Sequence, residues 1–226
     1  VWYRVRGLRM LPLGREWRSV VVIGTPNMLI WHGVSILGVQ QLASGRASIL
    51  GFTMPIWTVL ISVLFFGEKL SARVSFAVLA VAASIALLTS SEFDNMAGRP
   101  QGVALMEFAA IFWAIGTVMM RRISFSLSIE ALTVWMMLLA GGCLCLIAAW
   151  LEPWPTWHFS AGMWLSLCYG AFINYGFAQI IWASLARDLP PATSAIGLMA
   201  VPLIGTLAAT FILGEWPLWQ DFVAIG

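Results

Sequence analysis

The fold is decided by residues 48–72, SILGFTMPIWTVLISVLFFGEKLSA, an apolar run with one central proline and a Gly-Glu pair near its end. A similar run follows at residues 195–219, AIGLMAVPLIGTLAATFILGEWPLW. Matches of Trp, Asn, Pro and Gly-Glu at one offset are rare by chance in an apolar chain, so we interpret the chain as two copies of one unit. The constant offset of 147 residues pairs Pro55 with Pro202, Gly67-Glu68 with Gly214-Glu215, Trp17 with Trp164 and Asn27 with Asn174.

The composition indicates a membrane protein. Hydrophobic residues make up 61% of the chain and charged residues 10%, and the mean hydropathy is +0.90, whereas soluble domains carry about 25% charge. The net charge of +2 predicts no nucleic-acid partner, because the basic residues fall between the apolar runs. No motif predicts a cofactor or a metal. The three cysteines, Cys143, Cys145 and Cys168, lie within apolar runs and are interpreted as small buried hydrophobes.

Runs of roughly 20 apolar residues predict the membrane spans. Alternating spans place ten of the twelve Lys and Arg on one side of the membrane, which the positive-inside rule assigns to the cytoplasm. An odd number of crossings separates the two copies, so the second copy is inverted, as in many secondary transporters. The spans are predicted at about 19–42, 47–66, 74–88, 102–120, 130–150, 163–186 and 192–213, with an eighth beginning near Pro217.

These motifs resemble the two EamA repeats of the drug/metabolite transporter superfamily. The resemblance rests on P-x-W…L-F-F-G-E-K-L-S at residues 55–71, its echo P-L-I…I-L-G-E-W-P at 202–217, and Phe112-Trp113-Ala114 followed by Arg121-Arg122. It implies an all-α integral membrane protein, a helical bundle of two inverted five-helix repeats, with ten helices when intact. It also implies movement of small metabolites, often amino-acid export, across a bacterial inner membrane.

The resemblance predicts how the chain divides. Residues 1–91 form the C-terminal part of the first repeat, from the end of helix 2 through helix 5. Residues 92–101 form an external loop, and residues 102–226 form helices 6–9 and the start of helix 10. The first two helices are expected to be missing and the last truncated. The expected partners are the lipid bilayer and a small-molecule substrate, and the protein is expected to be a monomer or a homodimer.

A stripe of side chains predicts the substrate cavity. Tyr175, Gln179 and Trp182 have the i, i+4, i+7 spacing of one helix face, and their repeat partners Met28, His32 and Ser35 have the same spacing. Polar groups at membrane depth usually face the bundle interior or water, so these residues could bind a substrate, although they could equally join helices to each other. Asn27 and Asn174 stand beside the stripe and are better suited to joining helices, and Trp57 is a further cavity candidate.

Prolines and acids complete the set of candidates. Pro55 and Pro202 lie near the middle of their spans, where a proline breaks a backbone hydrogen bond and predicts a kink or hinge. Glu107 is an intramembrane carboxylate, a candidate for proton coupling or for binding a cationic substrate, with an interfacial side chain that extends toward the membrane surface as the alternative. Glu68 and Glu215 follow helix ends, where a carboxylate needs a partner, and are interpreted as structural.

The sequence favours a secondary carrier over two other classes. An integral-membrane enzyme would need converging nucleophiles, acids or metal ligands, and neither HExxH nor GxSxG occurs. A channel or a structural membrane protein remains a second alternative, against which the inverted repeat argues only in part. The candidate stripe carries no Lys or Arg, which favours neutral or zwitterionic substrates over phosphorylated ones.

Overall fold

A computed structural model of the chain describes residues 10–67, 72, 75–76, 79–80, 82–83, 100–154, 156–188, 204–214, 216–217 and 219. Within these residues the regular elements are helices. The predicted span at 74–88 falls largely outside them, and Pro202, Glu68 and Glu215 lie outside the described residues. The helices are α1 (Glu16–Val39), α2 (Ser44–Phe66), α3 (Pro100–Arg122), α4 (Ile129–Leu151), α5 (161–188) and α6 (Ile204–Leu213).

Four of these helices are long and apolar enough to cross a membrane, namely α1, α2, α3 and α4. Each begins and ends within a few residues of a predicted span. Helix α5 is comparably long but less apolar, because Asn174, Tyr175 and Gln179 interrupt its hydrophobic sequence. Two of these residues, Tyr175 and Gln179, belong to the predicted substrate-facing stripe, and Asn174 stands beside it.

Helix α3 lies at the centre of the described bundle. In its apolar window 56% of the residues are buried, against 33% or less in α1, α2 and α4. Its small residues allow this burial: an added Cβ at Gly116 would lie 2.4 Å from the Cβ of Asn27 on α1. A second core joins α1 to α4, where Val20 and Ile23 pack with Leu132 and Met136. Outward-facing side chains of the spans are largely apolar and suited to lipid.

Three of the described helices contain wide, π-helical turns. That of α6 covers Ala209–Leu213, and those of α1 and α5 lie at corresponding positions of the repeat. In α1 the π-helix covers Thr25–Ile30, and in α5 it covers Tyr169–Ala178. Shifted by 147 residues, the first segment falls inside the second. A π-turn closes its hydrogen bond over one more residue than an α-turn, so it rotates the side chains on either side of it relative to each other.

Helix α2 is broken in its middle. Its first segment ends at Gly51 and its second covers Met54–Phe66. The sequence places a kink here, but the structure puts Pro55 in the first turn of a new helical segment instead of a helix interior. That position suits proline, whose missing N–H would have no helical partner there.

The repeated glycines end helices. Gly67 and Gly214 have φ values of 66° and 72°, the left-handed conformation that glycine adopts without steric cost. The amide of Gly67 donates to the Val63 carbonyl, and that of Gly214 to the Thr210 carbonyl. The Gly-Glu match seen in the sequence therefore reflects the same helix stop in each copy.

The interpretation of the cysteines as buried is wrong for two of the three. Cys145 on α4 and Cys168 on α5 are exposed, and Cys143 is half-buried. They lie on the outward faces of apolar helices. An apolar run in a membrane protein therefore does not distinguish a core-facing side chain from a lipid-facing one.

Candidate functional site

A cavity of about 520 Å³ lies between α1, α2, α3 and α5. This volume is in the range of small-molecule sites. Its described lining contains no Asp, Glu, Lys or Arg. The two copies both contribute: His32 and Ser35 come from the first copy, and Asn174, Tyr175, Gln179 and Trp182 come from the second. Six of the nine residues predicted for the cavity are thus brought together.

Aromatic rings form much of the wall. The rings of His32 and Tyr175 lie 5.2 Å apart, which joins the stripes of the two copies directly. Trp113 and Trp182 stack with centroids 6.1 Å apart and an interplanar angle of 28°. Such surfaces favour flat or apolar parts of a solute.

The hydrogen bond of His32 fixes its tautomer. Its Nδ1 lies 2.7 Å from the Met28 carbonyl oxygen, and because a carbonyl only accepts, Nδ1 carries the hydrogen. In the neutral ring Nε2 is then an acceptor, and it has no partner among the described residues. Gln179 donates weakly to the Met28 sulfur at 3.9 Å, which leaves its carbonyl oxygen to accept as well. His32 and Gln179 therefore each offer an acceptor to a solute in the cavity.

Three predicted cavity residues do not line this cavity, namely Asn27, Met28 and Trp57. Met28 is 1% exposed and belongs to the hydrophobic core instead. The reason is the π-helix at Thr25–Ile30, which rotates Met28 away from the face that His32 and Ser35 share. The i, i+4, i+7 spacing assumes α-helical turns throughout.

Asn27 joins two helices. Its side-chain amide donates to the Trp113 carbonyl at 3.1 Å and to the Thr117 hydroxyl at 3.3 Å, both on α3. Its repeat partner Asn174 lines the cavity, and among the described residues its side chain makes no hydrogen bond. One position of the repeat thus serves packing in the first copy and the cavity in the second.

Replacing Asn27 with alanine should lower the free energy of unfolding by about 1 kcal/mol, the usual contribution of a hydrogen bond between membrane helices. Thermal unfolding of the purified protein in detergent measures this change. Asn174→Ala is the matched control and should leave the unfolding temperature unchanged. Equal shifts for the two variants would contradict the joining role of Asn27.

Three further aromatic residues, Trp31, Phe52 and Trp113, line the cavity without having been predicted as site residues. Trp31 stands next to His32, and Trp113 lies on α3 within the Phe-Trp-Ala segment. Trp31 is four residues before Ser35, so helical spacing alone would have placed it on that face. Trp113 has no such signal, because its partner Trp182 is distant in the sequence.

Glu107 lies behind the cavity wall and does not line the cavity. The indole N–H of Trp57 donates to Oε2 of Glu107 at 2.7 Å, and the Thr53 hydroxyl is 3.0 Å from the same oxygen. Trp57, expected at the cavity, is therefore a partner of this carboxylate. A solute in the cavity does not reach Glu107, so direct binding of a cationic substrate by Glu107 is not favoured.

Comparison with known proteins gives concordant results. The chain is 27% identical over 225 residues to the uncharacterized inner membrane transporter YedA of Escherichia coli K12, covering 98% of this chain and 71% of YedA. It is 22% identical to the uncharacterized transporter YoaV of Bacillus subtilis, covering 83% of this chain and 64% of YoaV. The chain thus spans about two thirds of the length of these relatives.

A solved crystal structure shares the fold. It matches 98% of this chain and 76% of its own chain, with a TM-score of 0.70 and 20% sequence identity. The sequence pattern of the EamA-like transporter family matches residues 2–90 and 100–226, which is nearly the whole chain. The chain therefore belongs to the EamA-like transporter family.

Proposed function

We propose that the protein is a secondary transporter that moves small neutral or zwitterionic metabolites, amino acids or related compounds, by alternating access around the cavity. The observation that supports the proposal is a cavity lined by residues of both segments that match the family, 2–90 and 100–226. Inverted repeats with a substrate site at their interface are the usual architecture of secondary transporters. The described lining of the cavity is uncharged, aromatic and supplied with hydrogen-bond acceptors. A phosphorylated solute would need cationic side chains there.

The finer parts of the proposal follow the family. Transport is in the direction of export, and the location is a bacterial inner membrane, as for YedA. Residues 1–91 and 102–226 belong to opposite repeats, joined by the loop at 92–101. The working unit is a monomer or a homodimer with no cofactor.

Liposome flux tests the proposal. The protein is reconstituted, and uptake of radiolabelled alanine, threonine, leucine and phenylalanine is measured with and without a pH gradient. Saturable uptake of at least one compound is expected. Unsaturable flux would indicate a channel instead, and no flux of any of the four would contradict the proposal.

His32→Ala and Gln179→Ala should each lower uptake at subsaturating substrate by roughly two- to tenfold, the effect of losing one hydrogen bond to the solute. Matched controls are available for both. His158 is exposed and its ring bonds the Thr156 carbonyl in the same loop, and Gln40 is exposed at the end of α1. His158→Ala and Gln40→Ala should leave uptake unchanged. Unchanged kinetics in both cavity variants would exclude this stripe as the substrate site.

A further inference from the structure

The surroundings of Glu107 contain a conflict over one hydrogen atom. Thr53 Oγ1 lies 3.0 Å from Oε2 of Glu107 and 2.8 Å from the carbonyl oxygen of Leu50. A hydroxyl has a single hydrogen to donate, a carbonyl only accepts, and an ionised carboxylate only accepts. Thr53 therefore cannot donate to Leu50 and to an ionised Glu107 at the same time.

The protonation state of Glu107 resolves the conflict in two ways. When Glu107 is protonated, its O–H donates to Thr53 Oγ1, and the Thr53 hydrogen goes to the Leu50 carbonyl. When Glu107 is ionised, the hydroxyl hydrogen of Thr53 turns to the carboxylate, which also accepts from Trp57. The Leu50 carbonyl then loses the hydroxyl and keeps only backbone N–H donors, that of Thr53 at 3.1 Å among them. Hydrogen bonds to an ionised group are the stronger ones, so the carboxylate competes effectively for the hydrogen.

The residue that changes partner stands at the break of α2. Thr53 lies between the segment ending at Gly51 and the segment beginning at Met54. Gly51, Phe52 and Met54 line the cavity, whereas Thr53 and Glu107 do not. A change in the hydrogen bonding of Leu50 thus acts on a backbone that forms the cavity wall.

No other charged group among the described residues takes part. The partners of Glu107 there are Thr53 and Trp57. Helix α3 packs against α1, α2 and the end of α5. The titratable or charged side chains described on these helices are Glu16, Arg18 and His32 on α1, Arg46 on α2, and Cys168, Tyr169 and Tyr175 on α5, with Arg121 and Arg122 on α3 itself.

We propose that the α2 break is a proton-responsive joint, in which Thr53 is the positioning residue that transmits the protonation state of Glu107 to the cavity wall. The coupling role of the joint rests on the proposed transport function, but the joint itself can be tested without transport. It assigns Glu107 a coupling role without contact with the solute. Proton binding on one side of the membrane and release on the other would then alter the wall once per cycle.

Cysteine labelling tests the joint without any solute. In a background that lacks the three native cysteines, Phe52→Cys reports on the break and Ser35→Cys reports on the opposite cavity wall. At pH values below the pKa of both thiols, each thiolate fraction rises by the same factor with pH, so the ratio of the two maleimide labelling rates cancels this shared dependence. Between mildly acidic and neutral buffer this ratio should change about tenfold, since one hydrogen bond to a charged group shifts an equilibrium by roughly ten- to a hundredfold.

Four variants decide the outcome. Thr53→Val and Glu107→Gln should each abolish the pH dependence of the ratio, whereas Thr53→Ser keeps the hydroxyl and should preserve it. Thr58→Val is the matched control, because Thr58 makes the same type of bond, to the Met54 carbonyl at 2.9 Å, but does not contact Glu107. A ratio that is constant in the unmodified background, or that remains pH-dependent in Thr53→Val, would overturn the proposal.

Liposome flux separates this proposal from the proposed function. Saturable flux together with a pH-independent labelling ratio would overturn the joint and leave the transporter. A pH-dependent ratio that needs Thr53, in a protein that moves none of the four amino acids, would support the joint and count against the transport proposal. If the transport function and the joint both hold, the Thr53→Val variant should still show flux, but this flux should no longer respond to the pH gradient.

Discussion

Replacing Gly116 with alanine should destabilise the protein by about 3 kcal/mol, the upper end of the usual cost of overpacking. An added Cβ would lie 2.4 Å from Asn27 Cβ, 2.8 Å from its backbone nitrogen and 2.9 Å from its Cα. Two of these atoms are backbone, so no rotamer change relieves the contact, and α1 must move away from α3. The separation would also stretch the hydrogen bonds of Asn27. Thermal unfolding in detergent, followed by size-exclusion chromatography, measures the loss.

The sign of this effect distinguishes it from a general glycine effect. In a helix interior alanine is ordinarily more favourable than glycine by roughly 0.5–1 kcal/mol. Gly142 on α4 has nothing within 4 Å of an added Cβ, so Gly142→Ala should leave the unfolding temperature unchanged or raise it. An unfolding temperature for Gly116→Ala equal to that of the unsubstituted protein would show that α1 and α3 do not approach this closely.

Replacing Trp182 with alanine should lower transport by on the order of thirtyfold, an effect of about 2 kcal/mol typical of a central aromatic anchor. Trp182 stacks on Trp113 and packs against the cluster of Met54, Ala110 and Trp113, so its ring joins α5 to the apolar contact between α2 and α3 at the cavity. Removing it takes away one wall of the cavity and leaves Trp113 uncovered. Initial uptake rates at subsaturating amino acid measure the change.

Two comparisons make the Trp182 result specific. Trp182→Phe retains a stacking ring and should keep most of the activity. Trp150 is 87% exposed at the end of α4, so Trp150→Ala removes the same side chain far from the cavity and should have no effect. Equal uptake by Trp182→Ala and Trp150→Ala, at equal protein content, would remove Trp182 from the site.

The sequence predicts the spans well because burial in lipid and burial in protein both demand apolar residues. Helices α1 to α4 coincide with predicted spans for this reason. The same property prevents the sequence from distinguishing lipid-facing from core-facing positions, as Cys145 and Cys168 show. The repeated Gly-Glu pair is informative because Gly67 and Gly214 meet a backbone requirement that does not depend on the solvent.

The i, i+4, i+7 spacing predicts part of the cavity, including Tyr175 inside a π-helix, but fails at Met28. His32, Ser35, Gln179 and Trp182 follow α-helical spacing and do line it. Met28 does not, because π-helical hydrogen bonding leaves no signal in the pattern of apolar and polar residues. The partners of Glu107 are separated from it by 50 and 54 residues, and only the packing of α2 on α3 brings them together.

The paired π-helices of α1 and α5 also bear on where these helices can bend. π-Turns are frequent at functional sites, and they are one of the recognised causes of a kink in a helix. The π-helix of α1 directly precedes Trp31 and His32, and that of α5 contains Asn174 and Tyr175, all of which line the cavity. The two helices that carry the candidate stripe are therefore both irregular where they meet the cavity, so a bend at either place would change its shape.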